Sequence, residues 1–369
     1  MLDGGPLVAW LVALCHSKCG VCLTVESHLG KQSLDMLAIT ENTRFGIIGL
    51  GNEAKNTYIP AFQRAGMRFS AGADVDPQDR WDFPVYPSLS QMFEHENLDF
   101  VIICTDPVHH YQLVASALDL SVSVICEKPL IATPRQVREL FQEFSNSDLF
   151  LCVIDNWCHS QQFQSFLSSC RTIYTDYNAP AMIEFHFCRP LTLKSKWRSQ
   201  RQAGGLVWEY GWHAICMALA VASSLDLSVP PFPRQWSISN STISHDAVHF
   251  IITMGSLVVS TFIQRKSQDR STTIIFDQPP RRIVLDDSSL SFQMDGTPMN
   301  QITFSSPALS QPQARVDWFI HMLSSIILDP ICAAYKSCVT AEACVTILNA
   351  VFPLDLSGMK DGILNTQLR

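Results

Sequence analysis

Three short runs carry the side chains best suited to chemistry. The first is Cys126-Glu127-Lys128-Pro129, where a lysine follows an apolar run. An amine there can donate to a substrate hydroxyl or carbonyl, or act as an acid/base if its proton affinity is lowered. The second holds Glu209 and His213, four apart after Gly204-Gly205. On a helix they share a face, and a carboxylate beside an imidazole orients it and raises its basicity. Taken singly, Lys128 also fits an exposed loop lysine, and Glu209 with His213 an ordinary helix pair. The third is Gly49-Leu50-Gly51-Asn52-Glu53-Ala54. In a G-x-G-x-x-G/A turn the first glycine makes the turn and the second lets the backbone approach a pyrophosphate. The third position must be small where helix meets strand. Free N–H groups at the helix start then favour a phosphate.

That glycine run needs a strand before it and a helix after it. Phe45, Ile47 and Ile48 supply the first, and Tyr58, Ile59, Ala61 and Phe62 the apolar face of the second. The next apolar run, Met67 to Ala73, ends at Asp74, 23 residues past Gly51. That is close to the ~20 at which an acidic residue meets the adenosine ribose hydroxyls. No arginine follows Asp74 directly to receive a 2′-phosphate, so the pattern favours NAD over NADP. Asp76 reads as a turn residue before Pro77.

The elements then alternate. Helices are expected over Pro87–His95, His110–Leu120 and Pro134–Phe144, with strands over Leu98–Cys104, Val122–Cys126 and Leu149–Ile154. Such alternation predicts βαβ units and a parallel sheet. From about residue 157 the character changes. A helix over Gln161–Ile173 precedes alternating runs in Ala181–Cys188, Val248–Gln264 and Ser271–Val284, which predict an antiparallel sheet. Helices near Ala314–Ile327 and Ala341–Val351 close the chain, and Pro230-Pro231-Phe232-Pro233 reads as a loop. The fold class is α/β with a following α+β unit: a dinucleotide-binding domain over residues 41–156 and a substrate and oligomerisation domain over 157–369.

Length and composition fit this division. The 369 residues can hold two real cores, and 47% hydrophobic against 16% charged describes a globular chain. A net charge of −8 without a basic cluster argues against nucleic acid and anionic membranes as partners. No apolar run approaches the ~18 residues of a membrane span. Thirteen cysteines, scattered through apolar elements such as those of Cys104, Cys126, Cys152 and Cys188, fit reduced thiols in a cytoplasmic protein better than a disulfide framework. Residues 1–40 do not join the pattern. Cys15-x-x-x-Cys19-x-x-Cys22 has the spacing of a radical-SAM cluster loop, but such loops open a different barrel. A disordered extension, or sequence upstream of a start at Met36, is the expectation, and no metal site is expected.

Together the motifs resemble the Gfo/Idh/MocA oxidoreductase family, the group of glucose–fructose oxidoreductase and inositol dehydrogenase. The resemblance runs from about Arg44 to Val351. It rests on Gly49-x-Gly51 with Asp74, Thr105 followed by His110 and Ala117-Leu118, Glu127-Lys128-Pro129, and Gly204-Gly205 leading to Glu209-x-x-x-His213. It implies Lys128 and His213 as the catalytic pair, with Glu209 orienting or charge-balancing them, and a cis Lys128–Pro129 bond. Gly49, Gly51, Asn52, Asp74, Thr105, His110, Glu127 and Lys128 would surround the cofactor, NAD more readily than NADP. It further implies hydride transfer at a secondary alcohol or ketone of a sugar, cyclitol or related polyol, in a homodimer or homotetramer.

The chain departs from the family pattern at several positions. Glu209 stands where the family usually has Asp, and Thr105-Asp106-Pro107 where it has Thr-Pro-Asn. Cys216 replaces a frequent Asp, and Asn156-Trp157-Cys158 lacks the Arg of Asn-x-Arg. These changes suit a second reading, a non-catalytic dinucleotide-binding regulator. The family includes such a protein, a repressor of galactose genes. Retention of both Lys128 and His213 favours the enzyme.

Overall fold

Strand β1 (Phe45–Ile48) is buried along its whole length, as a strand covered on both faces by helices must be. The computed structural model describes residues 39, 42–77, 79–147, 149–174, 181–190, 205–225, 227, 237–244, 247–266, 271–305, 314–328 and 330–353. The expectations for residues 1–38, for Gly204 and for the Pro230–Pro233 loop lie outside them. β1 pairs in parallel with β2 (Phe69–Ala73) and with β4 (Phe100–Ile103). With β3 (Val85–Tyr86), β5 (Ser123–Cys126) and β6 (Leu151–Val153) they form a six-stranded parallel sheet in the order β3-β2-β1-β4-β5-β6. The ends of β1 and β4 lie side by side at the sheet centre, where an open α/β sheet offers its ligand crevice.

The helix after the glycine turn begins unusually. Residues Ala54–Tyr58 form a π-helical turn that runs into α1 (Ile59–Arg64). Pro60 supplies the cause, because it has no N–H and its ring crowds the carbonyl four residues back. Helix α2 (Leu89–His95) is capped by Ser88, whose hydroxyl accepts from Gln91 N at 3.2 Å. α3 (His110–Asp119) and α4 (Pro134–Asn146) complete the crossovers. α4 starts at a capping box in which Thr133 and Gln136 satisfy each other's backbone N–H groups.

The second sheet has eight strands. They are β7 (Ala181–Pro190), β8 (Ser237–Ile243), β9 (Ala247–Met254), β10 (Leu257–Lys266), β11 (Ser271–Gln278), β12 (Arg281–Asp286), β13 (Ser289–Met294) and β14 (Thr297–Thr303). Their order is β14-β13-β12-β11-β7-β10-β9-β8, antiparallel except where β7 meets β10. In β9 the residues Val248, Phe250, Ile252 and Met254 are buried and their neighbours half-buried, the signature of one covered face. Helices α5 (Gln161–Ile173) and α6 (Gly205–Ser224) cover that face. The closing helices, α7 (Ala314–Leu328) and α8 (Pro330–Val351), return to the first sheet. Phe319 of α7 packs edge-on against Tyr58 with centroids 4.7 Å apart, and α8 lies along α4, α6 and β6. α6 is buried on nearly every side as a result, and Gly211 lets it sit close: a Cβ there would come within 2.6 Å of Leu348.

Candidate active site

Gly49 adopts φ +90°, and a Cβ on it would lie 2.9 Å from the backbone N of Thr105. Glycine is therefore required for β1 and β4 to turn outward together. Gly51 differs: a Cβ there would meet nothing within 4 Å, because it borders open space. Asp74, just past β2, ties down the turn. Its Oδ2 accepts from Leu50 N at 2.6 Å and its Oδ1 from Asp76 N at 2.9 Å. These residues line one end of a cavity of about 480 Å³. Thr105, His110 and Glu127 line it too, as do Lys128, Glu209 and His213, which follow β5 or lie on α6, across the sheet centre from β2. The cavity thus gathers all the sequence-predicted site residues, although they span four strand ends and α6.

His110 staples two walls together. Its Nε2 lies 3.0 Å from the Thr105 carbonyl and its Nδ1 3.0 Å from that of Pro129. Burial pushes the imidazole down to about 4, so the neutral ring has a single N–H for the two carbonyls. The Lys128–Pro129 bond is cis. Glu127 accepts from Tyr58 OH through Oε1 and from Lys128 N at 3.0 Å through Oε2. Burial and the nearby Glu53 raise its carboxyl. Glu53, at the start of the dinucleotide helix, pairs with Arg315 of α7.

Across from β2, Lys128 Nζ donates to the Glu209 carbonyl oxygen at 3.3 Å. His213 is 3% exposed and stacks on Trp157, centroids 4.4 Å apart. The carboxylate that meets its ring is Asp155, whose Oδ1 lies 3.1 Å from Nδ1. Glu209 lies on the same helix face, as the four-residue spacing predicts, and its charge favours the protonated imidazole, but Asp155 makes the hydrogen bond. Burial and then Lys128 push His213 down to about 4, against the opposing pull of Asp155 and Glu209. Burial alone would raise the Asp155 carboxyl; His213, with Cys216 and Lys128, more than offsets it and holds the group below its ordinary value. A neutral ring donating Nδ1–H to Asp155 leaves Nε2 as a bare acceptor, and Nε2 has no protein partner among the described residues. A buried imidazole with one nitrogen held by a carboxylate and the other bare is built to take a proton.

Asp155 escaped the sequence reading. Its signal was its place at the end of β6, since strand C-termini of a parallel sheet face the ligand. It also caps the single turn of helix over Asn156–His159, accepting from Trp157 N at 3.0 Å, and so sets the ring that His213 stacks on. Cys216, one turn beyond His213, is buried with its sulfur 3.7 Å from that of Cys344.

Residues 43–154 match the family model described as oxidoreductase family, NAD-binding Rossmann fold. These residues belong to the Gfo/Idh/MocA oxidoreductases. An uncharacterized oxidoreductase of Schizosaccharomyces pombe is 28% identical over 189 residues, 47% of this chain and 50% of that protein. The chain spans about half the length of the curated relatives it matches. Solved structures extend the likeness in fold to most of the chain. An oxidoreductase from Agrobacterium radiobacter, in complex with NAD+, L-tartaric acid and magnesium, has a TM-score of 0.69 at 17% identity and covers 86% of this chain and 97% of its own. A 3-ketoreductase from Actinomadura kijaniata, in complex with TDP-benzene and NADP, has a TM-score of 0.67 at 16% identity and covers 84% and 96%. Residues 43–154 thus form an NAD(P)-binding Rossmann fold. Among the described residues no helix is long and apolar enough to cross a membrane.

Proposed function

We propose that the chain is an NAD-dependent dehydrogenase acting on a secondary alcohol or ketone of a sugar, cyclitol or related polyol. The observation that carries this reading is the convergence of Lys128 Nζ and His213 on the cavity whose other end is built from Gly51 and Asp74. The glycine end fits a dinucleotide. The open space at Gly51 leaves room for a pyrophosphate, and Asp74 stands where ribose hydroxyls would need an acceptor. The absence of a following arginine favours NAD, while the two neighbours above hold NAD and NADP respectively. Both were solved in complex with an organic ligand as well as a cofactor, which is in keeping with a small-molecule substrate here.

A dinucleotide held beside Gly51 and Asp74 would supply a nicotinamide able to exchange a hydride with the carbinol carbon. The remaining work falls to the protein. His213 Nε2 takes the hydroxyl proton as the carbonyl forms, and Asp155 stabilises the imidazolium that results. Lys128 donates to the same oxygen and favours the charge that develops on it. Anchorage of Nζ on the Glu209 carbonyl aims the ammonium, and the Glu209 carboxylate adds to the negative field around the pair. In reduction the same groups run in reverse. The test is an NAD(H)-coupled absorbance screen over sugars, inositols and sugar acids, with Lys128→Met and His213→Ala as controls. The reading expects turnover with one such class and its loss in both variants. Failure of every class with intact NADH binding would favour the regulator.

A further inference from the structure

Arg189, near the end of β7, also lines the cavity. It is 2% exposed. Its Nη1 donates to the carbonyls of Cys188 and Ser271 at 2.7 and 2.6 Å, and its Nη2 to Thr272 Oγ1 at 3.2 Å. All three acceptors are neutral. A guanidinium has five N–H donors, so two remain, and the buried Nε is one without a partner. Among the described residues no carboxylate pairs with it. Its positive charge is met instead by ring faces: Tyr210 at 4.2 Å from the centroid, Phe187 at 5.5 Å and Trp157 at 5.6 Å. A buried cation answered by neutral oxygens and rings alone is costly, and an anion completes it.

The position says which anion. Trp157 neighbours both Arg189, whose Cζ is 5.6 Å from its ring centroid, and His213, stacked on it at 4.4 Å, so the cation and the proton acceptor share one ring. An anionic group there belongs to the reacting molecule and not to the dinucleotide, whose glycine turn and Asp74 are at the other end. Two remaining N–H groups on one planar fork match the two oxygens of a carboxylate. A phosphate ester would call for a second cation, but Lys128 is anchored on Glu209 O and Arg315 on Glu53. We infer that Arg189 receives a substrate carboxylate, and that the substrate is a polyhydroxy acid with the reacting carbinol a few carbons from its acid group. This deepens the dehydrogenase reading above and rests on it.

The test compares matched probes on the native protein: D-gluconate against D-glucitol, D-glucuronate against D-glucose, and D-glucose 6-phosphate. Binding to the NADH-loaded protein is read by NADH fluorescence, independently of turnover, and kcat/KM by absorbance. The expected result is that the acid of at least one pair is favoured by about 10- to 100-fold, the effect of one charge-assisted pair. Arg189→Lys should keep part of that preference, because the charge stays and the fork is lost. Arg189→Met should bring the two members of the pair within a few-fold. Equal handling of acid and neutral probes by the native protein would overturn the inference and leave the dehydrogenase intact. So would tighter binding of the phosphate ester, or a preference that survives Arg189→Met while only the melting temperature falls, the mark of a mere clamp between β7 and β11. Acid binding through Arg189 without turnover of any probe would instead sink the dehydrogenase reading and keep the anion site.

Discussion

Asp155 and Glu209 present two carboxylates to one histidine, and their roles differ. Asp155 holds the tautomer by a hydrogen bond; Glu209 acts through its charge and its carbonyl oxygen. Asp155→Asn keeps the shape but lets the amide impose the other tautomer. It should lower turnover by roughly 10²–10⁴, the worth of a positioned acid/base group. Glu209→Gln should cost less, because the Lys128 contact is to the backbone and survives. Each should lower the pKa on the acid limb of kcat/KM for oxidation, since each removes a charge that favours the imidazolium. Steady-state kinetics of the two variants side by side decide this, and a larger loss in Glu209→Gln would reverse the assignment. For the cofactor, titration should show tighter NADH than NADPH binding, and Asp74→Ser should narrow that gap.

The two glycines of the first turn separate folding from binding. Gly49→Ala forces a side chain into a left-handed backbone and against Thr105, so it should destabilise the protein by about 1–3 kcal/mol. Gly51→Ala meets no protein atom and should leave the melting temperature unchanged while weakening NADH, because the new methyl enters the cofactor's space. Thermal melts and NADH titrations of both variants check the contrast. The same turn shows what a sequence makes visible. Strand, glycine pair and helix follow one another within twenty residues, so local pattern suffices, and β1, β2, β4 and β5 are legible as apolar runs. Asp155 meets His213 across 58 residues, through the end of β6 and the flank of α6, and no local spacing encodes that meeting. Arg189 is hidden for the same reason, since two of its three acceptors lie on β11. Strands β8 and β14 are hard to read in the sequence for another reason. β8 and β14 are outer strands rich in Ser, Thr and Asn, and β14 is exposed throughout, so neither shows the alternation that marks a half-buried strand.

In the folded molecule His110 and His213 are buried and His159 is half-buried, and all three are held as neutral rings. His110, His159 and His213 are each pushed down to about 4, burial being the first cause in every case. In the unfolded chain they titrate near the ordinary histidine value of about 6.5. Between these two values the unfolded chain binds more protons, so stability is full above about 6.5 and is lost as pH falls toward 4. Each histidine contributes a slope approaching about 1.4 kcal/mol per pH unit in that window. Glu127, whose carboxyl is raised, works in the opposite direction at the lower end. Urea midpoints measured from pH 7.5 to 5 should therefore fall steadily. His159→Gln, away from the cavity lining, should reduce the slope by about one histidine's share, and an unchanged slope would contradict its neutral ring.

The dehydrogenase reading requires one cavity to hold a dinucleotide at its glycine end and to move a proton at Lys128 and His213. Lys128→Met tests it most directly, with NADH affinity and turnover measured on the same preparation and the best substrate of the screen. NADH affinity should stay within a few-fold of native while turnover falls by roughly 10²–10⁴. Native turnover in Lys128→Met would contradict it.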